Sequence, residues 1–135
     1  MSRQDPTKLM NAVTLAATRT ATFGAAGCDA LSFLFVHTNV AATEITAYLE
    51  YSPDGGTTWC RWVGMDDSID TTTTPDSYLR KAYQRRDQNP DPANLTAWQL
   101  DFEGYFHSNM RLSVTNTSGG ATDILTVYIV RHYRK

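Results

Sequence analysis

From Tyr48 to Trp62 the sequence spells out a strand, a reversal and a second strand, and this stretch restricts the fold more than any other. Between Glu44 and Tyr51 the residues alternate. Ile45, Ala47, Leu49 and Tyr51 fall on one parity; Glu44, Thr46, Tyr48 and Glu50 fall on the other. Successive side chains of a strand point to opposite faces, so a period of two means a sheet with one face buried. Pro53 then fixes φ at a turn position, Asp54 can accept from amides ahead of it, and Gly55 and Gly56 supply positive φ. Thr57 to Val63, rich in β-branched and aromatic residues, is expected to return as the second strand of a tight hairpin.

The remaining apolar residues fit the same architecture. Val13, Leu15, Ala17, Arg19, Ala21 and Phe23 share a parity, which predicts one strand or two short ones between Ala12 and Phe23, ending at Gly24 and Gly27. Leu31 to His37 is apolar on both parities and reads as a central strand covered on both faces. Trp98, Leu100 and Phe102 alternate with Gln99 and Asp101, and Met110, Leu112 and Val114 alternate with Arg111, Ser113 and Thr115. Thr117 to Ala121 turns the chain into a long last strand, Ile124 to Tyr133, which is apolar on both parities as far as Val130 and belongs inside a sheet or against a partner. No helical stretch of any length is present. Seven or eight short strands in 135 residues predict an all-β chain, a single antiparallel β-sandwich of jelly-roll type, large enough to bury a core without metal or disulfide staples.

Two segments do not read as core. Residues 1 to 10 are polar, interrupted by Pro6 and without periodicity, and are expected to form an N-terminal arm on a sandwich domain spanning residues 11 to 135. Residues 64 to 95 form a long excursion, acidic at first (Asp66, Asp67, Asp70) and then basic, expected to project as a loop or hairpin. Arg3 and Lys8 on the arm, and Tyr78, Arg80, Lys81, Tyr83, Arg85 and Arg86 on the excursion, are the candidate partner-binding residues. Their expected use is contact with another protein subunit. The arginines and tyrosines could also grip and stack on a nucleic acid, but a formal net charge of −2 argues against that as the main role. Deleting Met1 to Lys8 is accordingly expected to weaken assembly and to leave the fold intact.

Chemistry finds little support. No nucleophile-elbow sequence brings a Ser or Cys to His37, His107 or His132, and the three histidines are too scattered for a metal set. Glu50, Asp66, Asp67, Asp70, Asp101 and Glu103 supply carboxylates but no pattern that fixes a separation between two of them. Phosphate-binding Gly loops, zinc spacings and EF-hand calcium loops are missing, so no catalytic residue, metal or cofactor is expected. The polar N-terminus and the lack of a long apolar run predict a chain made in a cytosol, without contact with a membrane, in which Cys28 and Cys60 stay thiols and the sequons at Asn94 and Asn116 are chance.

Ser52, Asp54, Gly56, Thr58 and Trp59 resemble the Asp box of sialidases and other β-propellers, Ser-x-Asp-x-Gly-x-Thr-Trp. In those families the box is a hairpin turn away from the catalytic centre, so the resemblance implies a structural turn and not glycosidase activity. A propeller would need the motif to recur, and it does not. The chain as a whole resembles small virion proteins of tailed bacteriophages, through Leu49 to Trp59, Met110 to Thr122 and the closing apolar strand. That resemblance implies a non-enzymatic structural protein made in the host cytoplasm and located in the virion. Its foremost reading is a capsid decoration or cement protein bound to copies of itself, as a trimer in the favoured case, and to a major capsid or other virion protein. A neck or tail component is the nearest alternative. A carbohydrate-binding β-sandwich is the other, with Trp59, Trp62, Trp98 and the tyrosines as stacking platforms for a glycan.

Overall fold

The alternating stretches become strands, apart from residues 15–18, which turn the chain, and the strands divide between two sheets. The computed structural model describes residues 2–3, 5–38, 44–62, 80–84, 96–104, 106–118 and 122–133. Among these there is no helix, and the strands are β1 (Ser2–Arg3), β2 (Thr7–Thr14), β3 (Arg19–Phe23), β4 (Ala30–Thr38), β5 (Glu44–Tyr51), β6 (Cys60–Arg61), β7 (Arg80–Gln84), β8 (Thr96–Glu103), β9 (Met110–Ser118) and β10 (Ile124–Tyr133).

In the first sheet β10 pairs with β4 on one side and with β1 and β2, end to end, on the other; β4 pairs onward with β8. In the second, β5 lies between β9 and the end-to-end pair β6 and β7, and β9 pairs onward with β3. All pairings are antiparallel. Counting β1 with β2, and β6 with β7, as interrupted strands gives the orders first-eighth-third-sixth and second-seventh-fourth-fifth. That is the eight-stranded jelly roll. The expected all-β sandwich is therefore the architecture observed.

The single apolar parities of β5 and β9 point inward as expected, whereas β4, expected to be covered on both faces, buries one parity and leaves Leu34 and Val36 half-buried on the outer face, as β10 leaves Tyr128. Leu31, Phe33 and Phe35 of β4 and Leu125, Val127 and Ile129 of β10 face Ile45, Ala47 and Leu49 of β5 and Met110, Leu112 and Val114 of β9, all buried. Phe33 joins the layers, packing edge-on against Phe23 of the second sheet at 5.7 Å and Phe102 of the first at 5.8 Å between ring centroids. His37 and Asp123 lie within the same core, fully buried and 2.6 Å apart, and tie the end of β4 to the start of β10. The Asp123 carbonyl also accepts from the Leu15 amide at 3.0 Å, which fixes the turn between β2 and β3.

The N-terminal segment departs from expectation. Ser2–Arg3 and Thr7–Thr14 lie along β10 as the edge of their own sheet, and Met10 is buried, so the described part of the segment is a strand and not a free arm. The reason is a bulge. Ala12 adopts φ 48° and donates its amide to the Thr126 hydroxyl at 3.1 Å, and the register with β10 shifts there and again between Val127 and Tyr128. One extra residue reverses the parity, so Met10 before it and Val13 and Leu15 after it all face inward. A strict period of two cannot reveal that. The hairpin return also differs: β6 holds only two residues, although the Trp62 amide still donates to the Leu49 carbonyl at 2.9 Å. Of the long excursion only Arg80–Gln84 is described, and it is paired to the edge of β5; the rest lies outside the described residues.

Candidate functional site

The return strand is short because the turn uses its amides. Asp54 Oδ1 accepts from the Thr57 amide at 3.1 Å, the Thr58 amide at 2.7 Å and the Ser52 hydroxyl at 2.8 Å, while the Gly56 amide donates to Ser52 Oγ at 2.6 Å. Amides bound to a carboxylate cannot join a ladder. Gly55 and Gly56 take φ 76° and 107°, which opens the loop so that its amides converge. Led by the Thr58 amide, these donors hold the Asp54 carboxyl at about 2, below its usual 3.8. The result is a fixed loop that delivers Trp59 to the outer face of the second sheet.

On that face the register assembles a row. Thr22, Arg111, Glu50 and Arg61 stand opposite one another on β3, β9, β5 and β6. Arg111 donates through Nε to Glu50 Oε1 at 2.8 Å, with its second nitrogen at 2.7 Å, and its guanidinium carbon lies 4.5 Å from the centre of the Trp59 ring. The Arg61 guanidinium lies 4.1 Å from the centre of the Tyr48 ring. Two cation–aromatic pairs thus stand on this face, and the carboxylate of Glu50 holds the cation of one of them. Beside Trp59 a hollow of about 300 Å³ has a mixed lining, with Phe23 and Met110 as well as Thr22, Ser108 and Asn109. A flat ring next to fixed donors and acceptors suits a ligand with one apolar face and a hydroxylated rim.

The outer face of the first sheet is of another kind. Tyr128 and Leu34 stand opposite each other, and with Val36, Ala97, Gln99 and Pro6 they line a shallow groove of about 510 Å³. Lys8 borders it, its ammonium 5.8 Å from the Tyr128 ring centroid.

The partner-binding residues proposed from sequence are divided by the fold. Arg3 and Lys8 lie on β1 and β2, at one edge of the first sheet. Arg80, Lys81 and Tyr83 lie on β7, at the opposite side of the sandwich in the second sheet. Tyr78, Arg85 and Arg86 lie outside the described residues. Of the tryptophans suggested as stacking platforms, Trp59 is at the outer face, whereas Trp62 stacks on Phe106 at 4.9 Å and meets Phe102 edge-on at 6.0 Å, closing one end of the core. The side chain of Trp98 is outside the described set. The histidines are separate: His37 is in the core, His107 stacks on Tyr51 at 4.4 Å, and His132 lies 3.0 Å from the Ser32 hydroxyl. Among the described residues no three His, Cys, Asp or Glu side chains gather as a metal site, and Cys28 and Cys60 are free thiols. Glu50, Arg61 and Arg111 had no signal of their own in the sequence. Only the pairing of β5 with β6 and β9 brings them together.

No protein-family model matches the chain, and no curated protein does. A solved structure described as "CBM4 structure and function" matches with a TM-score of 0.52 and 10% identity, over 90% of this chain and 64% of that one. The chain therefore spans less than two thirds of the matched structure's length, and at this identity the likeness shows a shared β-sandwich fold.

Proposed function

We propose that the protein works by binding, as a non-enzymatic structural component of a tailed-phage virion that secures the shell through contacts with neighbouring subunits. The observation that carries the reading is the outer face of the first sheet. A solvated antiparallel sheet alternates apolar inside with polar outside, yet here Leu34, Val36 and Tyr128 occupy outward positions on the two central strands. Apolar side chains gathered at outward positions support reading this face as an interaction surface. The virion setting is supported by the likeness of Leu49 to Trp59 and Met110 to Thr122 to phage structural proteins. The test is co-sedimentation of the purified protein with phage shells that lack it, at rising salt. Binding in a fixed ratio to the major shell protein is expected; failure to bind at low salt removes the decoration role.

A second reading has its own observation. Trp59, at the outer face with the Arg111 guanidinium 4.5 Å from its ring centre and a hollow beside it, offers an aromatic platform for a sugar. A carbohydrate-binding module of like fold lends this reading support. A change in Trp fluorescence on adding polysaccharide, abolished in Trp59→Ala, is the expected outcome; an unchanged response in that variant sinks it.

A further inference from the structure

The outer face of the first sheet is graded in charge across its strands. At one edge β2 places exposed Lys8 beside Tyr128. In the middle β10 and β4 contribute Tyr128, Leu34 and Val36. At the other edge β8 carries Gln99, Asp101 and Glu103, all exposed, and the Gln99 amide donates to Asp101 Oδ1 at 2.8 Å, which sets both side chains on one face. The register aligns Lys8, Tyr128, Leu34 and Gln99 in one row, with Asp101 one step along β8.

A surface that runs basic, apolar, acidic is complementary to itself under one operation. A two-fold axis parallel to the strands lays β2 of one copy over β8 of the next and β10 over β4. Lys8 then meets Gln99 and Asp101, and Tyr128 meets Leu34. An axis across the strands would instead set Lys8 against Lys8. We propose that this face is the interface of a two-fold homodimer with its axis parallel to the strands, a self-contact that rests on the assembly reading above, the neighbouring subunit on this face being a second copy of the chain. Opposite charges at the rim fix the orientation, and the apolar centre supplies the burial.

Its size sets its strength. Strands about 4.8 Å apart and residues about 3.3 Å apart make four strands by six residues a patch of roughly 400 Å² per copy. The total of roughly 800 Å² falls below the ~1,200 Å² of stable complexes, so the dimer is weak in solution and gains from the many copies on a particle.

Sedimentation equilibrium of the purified chain, from roughly 10 µM to 1 mM, reads this directly. The weight-average mass is expected to rise from the monomer's 15.1 kDa towards twice that value. Lys8→Glu, which places like charges face to face, is expected to weaken association about tenfold, and Lys8→Glu with Asp101→Lys to restore it. Both positions are exposed, and a thermal melt of each variant checks that the fold is kept. Three results overturn the proposal: a monomer at every concentration, a mass that rises to three times the chain, or a dimer that Lys8→Glu leaves unchanged. Because no shell is present, failure of the dimer leaves the shell-binding reading standing, and failure of shell binding leaves the dimer standing.

Discussion

Asp54 shows how one side chain replaces a strand. Its carboxylate is fully exposed, so the stabilisation comes from converging donors and not from burial. A depressed carboxyl contributes stability above the unfolded value of 3.8 and loses it as the pH falls towards the folded value of about 2. The melting temperature of Asp54→Asn should therefore lie below the parent's at neutral pH, and the gap should close near pH 2. A gap that persists there would mean that the charge is not what holds the loop. His37 and Asp123 show the opposite case, a contact wholly inside the core. Removing one member takes a buried partner from the other in a place without water, so His37→Ala is expected to cost about 3–5 kcal/mol, read as a lower urea midpoint at unchanged slope. A cost under about 1 kcal/mol would mean that the core closes over the remaining carboxyl.

At the scale of elements, the N-terminal strand alters the expectation for truncation. Ser2, Arg3, Thr7 and Lys8 pair with Tyr133, His132, Ile129 and Tyr128, so deleting Met1 to Lys8 strips part of the edge of β10. At about 1 kcal/mol for each ladder hydrogen bond, the truncated chain should lose about 2–4 kcal/mol in denaturant unfolding. Its β10 amides should also exchange faster with solvent. Unchanged stability would restore the picture of a free arm. The two outer faces are likewise products of elements and not of single residues. Arg111 reaches Glu50 because β9 pairs with β5 in one register, and a shift of β9 by one position would turn Arg111 into the core and away from Glu50.

For the whole molecule, the layers are held by what crosses between them. Phe33 touches rings from both sheets, so Phe33→Ala should cost about 3–5 kcal/mol in equilibrium unfolding, more than a shortened side chain on either outer face. A loss no larger than that of Leu34→Ala would place the crossing contacts elsewhere. The strands, their buried parities and the central places of β4 and β10 were legible, because alternation and apolar runs are local records of which face meets water. The strand character of residues 7 to 10 was not, since the bulge at Ala12 breaks the parity on which that reading depends. Nor was the short β6, whose amides are taken by Asp54. The candidate site was half legible. Trp59 and its turn lie within eight residues and follow from turn chemistry, whereas Glu50 and Arg111 are 61 positions apart. Sequence by itself determined the period, the turns and hence the β-sandwich class; tertiary structure alone decided register and strand order. Those two choices are settled by side chains far apart in the chain competing for one buried core, and they place Lys8, Tyr128 and Asp101 on one face and Trp59 and Arg111 on another.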